Sequence, residues 1–242
     1  MKANNDETVL PADVADGLGV GVEIDGARPL ADLTAAVNAA CDRAEEREGR
    51  SVVVLRLATA LPEHRAWPGA VELRDVSRWE KALRRLERLP TMNIAVARGT
   101  CGGPSLDVLL TADYRIVTPD LLLLPPVNDG HFWPGMSVHR LVQHLGVARA
   151  RQIVLWGDDI EAERAIEVGL VDQVTESVDE ALHTAAVLMG RISDAELAVR
   201  RQLLYDAAST PFEDALGLHL AACARELRRL DAEGSRELED NR

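Results

Sequence analysis

The sequence predicts an α/β domain with predominantly parallel sheets, and three observations lead there. Short apolar, β-branched runs alternate with segments of helical periodicity. The run Ser51 to Leu57 (SVVVLRL) is almost continuously apolar, as a strand covered on both faces requires. Strands crowd the first half of the chain and helices the second, joined by repeated strand–helix crossovers.

Gly19 to Ile24 reads as a strand that ends in a turn at Asp25-Gly26. Leu30, Leu33, Val37, Ala40, Cys41 and Ala44 then recur at helical spacing. After the strand Ser51 to Leu57, a loop rich in proline and charge runs from Ala60 to Gly69. Trp79, Leu83, Leu86 and Leu89 mark one face of a helix that stops before Pro90. Asn93 to Ala97 is a short strand, Gly99 to Pro104 a glycine-rich turn, and Ser105 to Ala112 a helix. Tyr114 to Val117 is a further strand, and beyond the turn Val127 to Gly135 the chain is mostly helical. One domain is expected over 1–242, with a core over 1–190 and closing helices over 191–242. Fraying is expected in the charged ends, before about Asp16 and after about Glu233.

Hydrophobic residues make up 47% of the 242 residues, enough for a sizeable core, while a net charge of −13 argues against nucleic acid or anionic membranes as partners. Cys41, Cys101 and Cys223 form no CxxC pair and no metal-binding pattern, which fits a reducing compartment. The start, MKANNDETVLPADVADG, is acidic without an apolar stretch, so no signal peptide is expected, and no segment is apolar enough to span a bilayer. A cytoplasmic protein without metal is the expectation.

The chemistry points to Asn93-Ile-Ala-Val-Ala-Arg-Gly-Thr-Cys-Gly-Gly-Pro-Ser-Leu-Asp107, a strand entering a glycine-rich turn that opens a helix. Glycines let a ligand approach the backbone closely. N–H groups presented there can stabilise negative charge developing on a carbonyl oxygen. Gly103-Pro-Ser-Leu-Asp107 does not complete a nucleophile elbow, because position 107 is not glycine.

The segment from Asn93 to Glu176 resembles the crotonase (enoyl-CoA hydratase/isomerase) superfamily. The matching pieces are NIAVARGTCGG, LDVLLTADYRIV, PPVNDGHFWPGM and HRLVQHLGVARARQIVLWGDDIEAERAIEVGLVDQV, in that order. The resemblance implies a spiral of β–β–α units with C-terminal helices that build a homotrimer or hexamer. It also implies a CoA thioester as substrate, no cofactor, two backbone N–H groups on the thioester oxygen, and two glutamates that handle water and proton.

Carried over by position, the first glutamate falls on Asp107 and the second on Val127, which cannot move a proton. One oxyanion glycine falls on Pro104, which has no N–H, so Ser105 or Gly103 would have to donate. The other donor falls in Pro68-Gly69-Ala70. Asn128, Asp129 and His131 follow Val127 and are candidates to line the same cavity, with His131 or Asp129 aiding Asp107 in catalysis, although a solvated turn would place them equally well. Trp67, Trp133 and Trp156 could line an acyl pocket or fill the core, and Lys81, Arg84, Arg85 and Arg88 read as a solvated helix face.

Within the superfamily, CGGPSLD, the compact chain and the missing second glutamate resemble small accessory crotonases of dihydroxyphenylglycine biosynthesis in antibiotic pathways. That resemblance implies a type III polyketide synthase or sister crotonases as partners. The implied activity is dehydration and aromatisation of a polyketide-derived CoA thioester towards 3,5-dihydroxyphenylacetyl-CoA. A non-catalytic partner of the synthase and an ordinary enoyl-CoA hydratase are the alternatives.

Overall fold

The computed structural model describes residues 12–14, 19–47, 51–58, 66–189 and 191–240, and the chain divides into two compact units, Met1–Ser193 and Asp194–Arg242. The first unit begins with β1 (Ala12–Val14), β2 (Gly19–Ile24), α1 (Leu30–Glu46), β3 (Val52–Leu57), α2 (Leu73–Arg88) and β4 (Met92–Ala97). There follow β5 (Thr100–Cys101), α3 (Ser105–Leu109), β6 (Tyr114–Val117), β7 (Leu122–Leu123), β8 (Val127–Asn128) and β9 (His131–Phe132). It closes with α4 (Ser137–Trp156), β10 (Ile160–Glu161), α5 (Ala162–Val168), β11 (Gln173–Val174) and α6 (Val178–Met189). The second unit pairs α7 (Asp194–Ser209) with α8 (Phe212–Asp240).

The main sheet has the order β1-β2-β3-β4-β6-β11, parallel throughout except for β1. A second sheet, β10-β7-β5, pairs β5 parallel and β10 antiparallel to β7. The chain visits the two sheets in turn: β4 then β5, β6 then β7, and β10 then β11. The short helices α3 and α5 complete two of these passages, so β–β–α units wind as a spiral.

Strand alternation explains why β3 and β4 are apolar on both parities. Val53, Leu55, Leu57, Ala95 and Ala97 face the larger core, which α1 and α2 cover. Val52, Val54, Ile94, Val96 and Ile116 face a second cluster closed by Val178, Ala181, Leu182, Ala185 and Ala186 of α6. Each large side chain buried in this way stabilises the fold by about 1.5–3 kcal/mol. In α2 the buried stripe is Trp79, Ala82, Leu83, Leu86 and Glu87, which brings one glutamate into the apolar face. Trp79 of that stripe reaches Asp107 of α3.

The structure departs from the sequence expectations at identifiable places. β1 pairs with β2 in a stretch expected to fray, and α8 continues to Asp240. The six two-residue strands β5, β7, β8, β9, β10 and β11 were not expected, because two residues carry no periodicity to read. The expected loop from Ala60 to Gly69 lies outside the described residues up to position 65. Helix α4 breaks at Gly146, whose φ of 73° and ψ of 162° take it out of the helical region. Among the described residues no helix is long and apolar enough to cross a membrane.

Candidate active site

Three segments converge on the glycine turn that follows β5. Gly103 adopts φ +56°, and a side chain at Gly26 would come within 2.9 Å of Pro104 Cδ, so the Asp25–Gly26 turn packs directly on this bend. The Trp67 ring lies against the same bend, with its Cε3 atom 3.5 Å from where a Gly103 side chain would begin. Trp67 meets Trp79 edge-on, ring centres 6.1 Å apart. The Trp79 indole N–H in turn points at Asp107 Oδ2 across 3.5 Å, the outer limit of a hydrogen bond.

Asp107 is 2% exposed on α3. Its Oδ1 atom and the buried Ser137 Oγ of α4 both lack a hydrogen-bond partner of regular geometry, although the hydroxyl lies close enough to favour the charged carboxylate. Burial pushes the Asp107 carboxyl up to about 7, and the negative charge of Glu80 adds to the effect. Arg140, Trp79 and Ser137 act in the opposite direction without cancelling it.

A buried ionic cluster adjoins this carboxyl. Arg140 Nε of α4 donates to Glu87 Oε1 at 2.5 Å, and Arg140 Nη1 donates to Glu80 Oε2 at 3.1 Å. Glu80 Oε1 accepts the Met136 N–H at 3.2 Å, and Glu87 Oε2 accepts from Arg84 Nη1 at 2.9 Å. Burial works against the Arg140 charge, yet Glu87 and Glu80 outweigh it and hold the guanidinium above its usual value. The sequence reading missed Glu80, Glu87, Ser137 and Arg140 as site residues. Their signal was present: Glu87 interrupts the apolar stripe of α2, and Ser137, Arg140, Leu141 and Leu145 form the buried stripe of α4.

The other candidates take different places. The Ser105 N–H donates to Gly102 O at 3.1 Å, so that amide serves the turn itself and is not presented to a ligand. Pro104 has no N–H, so of the donors expected in this bend Gly103 keeps an amide hydrogen that can face a ligand. Gly69, at φ +80°, is exposed with open space beside it. Asn128 clamps the segment before Gly69: its Oδ1 accepts the Trp67 N–H at 2.9 Å and its Nδ2 donates to Trp67 O at 2.7 Å. Both ends of the amide are engaged there, so Asn128 acts on the loop and not directly on a ligand.

Asp129 and Gly130 form the two-residue turn between β8 and β9, with φ of 47° and 83°. This is the usual geometry of a tight hairpin, and it turns both Asp129 and His131 out to solvent. The structure records no hydrogen bond or ion pair joining either residue to Asp107. Val127 lies near Gly157, with its Cγ2 3.6 Å from where a side chain there would begin. Trp133 packs partly buried against the larger core, whereas Trp156 is 75% exposed. Arg85 belongs to an intramolecular clasp, donating to Asp42 at 2.6 Å and Glu45 at 2.7 Å.

A family model described as enoyl-CoA hydratase/isomerase matches residues 74–237. An "Enoyl-CoA-hydratase" of Amycolatopsis orientalis is 46% identical over 210 residues, 86% of this chain and 95% of that protein. The chain belongs to the enoyl-CoA hydratase/isomerase family. An enoyl-CoA hydratase of Mycobacterium smegmatis shares the fold at TM-score 0.73 and 21% identity, covering 92% of this chain and 91% of that one. A putative enoyl-CoA hydratase of Thermobifida fusca, solved in complex with acetoacetyl-CoA, does so at TM-score 0.71 and 15% identity, covering 92% and 96%. Members of the enoyl-CoA hydratase/isomerase family act on CoA thioesters and need no cofactor.

Proposed function

We propose that this family member catalyses dehydration or enolisation of a polyketide-derived CoA thioester, with Asp107 moving the proton. The observation that supports the reading most is the pairing of a single buried carboxyl beside the glycine turn with valine at position 127. A carboxyl with its pKa near 7 can work in both directions at neutral pH. It gives its proton to the departing hydroxyl, which leaves as water. The carboxylate then takes the hydrogen from the carbon next to the thioester carbonyl, so a double bond forms and Asp107 ends as it began. The Gly103 and Gly69 amides would polarise the thioester oxygen. A substrate that becomes aromatic on losing water needs less acid–base assistance than a simple enoyl thioester, which fits one carboxyl in place of two.

The finer assignment is to formation of 3,5-dihydroxyphenylacetyl-CoA alongside a type III polyketide synthase or sister crotonases in the cytoplasm. It rests on the resemblance of CGGPSLD and the missing second glutamate to that subgroup. In a reconstituted assay with the synthase, Asp107→Asn should lower dehydrated product by about 100-fold or more. Wild-type output from that variant would defeat the assignment of Asp107.

Two rival readings have specific support. The relatives' names suit an ordinary enoyl-CoA hydratase equally well, and brisk turnover of crotonyl-CoA would decide for it. The occupied Ser105 amide and the deep burial of Asp107 favour a non-catalytic partner of the synthase. Stimulation of the synthase that survives Asp107→Asn would decide for that reading. In the second unit Leu204, Phe212, Leu220 and Leu227 are exposed apolar residues. They support self-association as a homotrimer or hexamer, which light scattering on the full chain tests.

A further inference from the structure

Two charged groups act on Asp107, Glu80 on α2 and Arg140 on α4, and the cluster extends through Arg140 to Glu87 and from Glu87 to Arg84, both on α2. His144, also on α4, is engaged with the Leu110 carbonyl at 2.9 Å. Ionised, Glu80 and Glu87 already balance Arg140 and Arg84. A carboxylate at Asp107 would add an unmatched negative charge in a place sealed from water. The hydrogen bonds fix that imbalance in place. Arg140 directs Nε to Glu87 and Nη1 to Glu80, and it makes no hydrogen bond to Asp107. Each glutamate is anchored by its second oxygen as well, Glu80 by the Met136 N–H and Glu87 by Arg84. These second contacts oppose a rotation of either carboxylate away from the guanidinium.

We propose that Glu80 and Glu87 are positioning residues that hold Arg140 between them, withhold its guanidinium from Asp107, and thereby favour the protonated form of that carboxyl. The sequence distances involved, 53 and 60 residues, make this a property of how α2 and α4 pack and not of either helix alone. For its catalytic consequence the inference rests on the reading of Asp107 as the proton carrier. The state of the carboxyl itself does not depend on that reading.

The test is a carbon-13 titration of the full chain with labelled aspartate side chains. One aspartate carboxyl should titrate near 7 in the wild type and be missing from Asp107→Asn. Glu80→Gln keeps an acceptor for the Met136 N–H but loosens the hold on Arg140 Nη1. Its midpoint should fall by about one unit, whereas Glu80→Asp should stay near the wild type. The high-pH limb of turnover should move with it while KM stays within about twofold. A wild-type Asp107 midpoint at the ordinary value of about 4, or an unmoved midpoint in Glu80→Gln, would overturn the inference. If Glu80→Gln does not fold by circular dichroism, the wild-type midpoint and Glu87→Gln decide the matter in the same way. A midpoint that shifts as expected, in a protein whose turnover ignores Asp107→Asn, would defeat the proposed function and leave this inference standing.

Discussion

Asp107 and Asp129 are the same residue type in opposite settings. Asp107 sits in a helix one turn beyond a glycine bend, 2% exposed, facing Trp79 and Ser137 and adjoining the Glu80–Arg140–Glu87 cluster. Asp129 sits at φ 47° in a tight hairpin, exposed beside an exposed His131. Sequence position alone made both plausible proton carriers. Burial separates them, because moving a carboxylate out of water costs more than any partner near Asp107 returns. The hairpin contributes through Asn128, whose amide ties it to the Trp67 backbone and so to the loop that carries Gly69.

The largest effect that would sharpen this contrast comes from Arg140→Leu. Removing the cation takes away the ion-pair partner of Glu80 and leaves Glu87 with Arg84 alone, and stability in urea should fall by about 3–5 kcal/mol. A loss under about 1 kcal/mol would mean that solvent already neutralises the cluster.

Next comes Asp107→Asn, whose stability should exceed that of the wild type at high pH. The folded carboxyl holds its proton up to about 7, against 3.8 for an ordinary aspartate. The folded state therefore binds the proton more tightly than the unfolded state. The stability so gained is fully present at acid pH, below the ordinary value, and is lost as pH rises through the folded value. The variant's advantage should be of order 4 kcal/mol above that window and should shrink towards zero below it, read from urea midpoints across pH. An advantage independent of pH would place the Asp107 charge in water after all.

Within the hairpin the effects are smaller. Asn128→Ala removes two hydrogen bonds to the Trp67 backbone and should cost about 1–3 kcal/mol, with faster proteolysis near Gly69 as a second readout. His131→Ala should change stability by no more than about 0.5 kcal/mol. A larger loss would show that His131 is held by a contact and is not a solvated turn residue.

Much of the scaffold was readable in the sequence because it repeats itself locally. The strands Gly19–Ile24 and Tyr114–Val117 have the bounds expected of them, and β3 and β4 differ by one residue at their starts. The two-residue strands of the second sheet were not readable, since they exist only as passages between layers. In the candidate site, the glycine turn and the position of Asp107 just after it were legible from motif order. Glu80 and Glu87 were passed over because a charged residue in an amphipathic helix is ordinarily assigned to the wet face, whereas here Glu87 is buried and Glu80 half-buried.

The sequence by itself determined the family, the parallel sheet and the glycine bend. These follow from residue identity and short-range order, which need no partner to be expressed. The tertiary structure alone decided which polar groups are dry and which are wet. Protonation depends on the distance to charges and to water, and those distances are set by helices brought together from positions more than fifty residues apart.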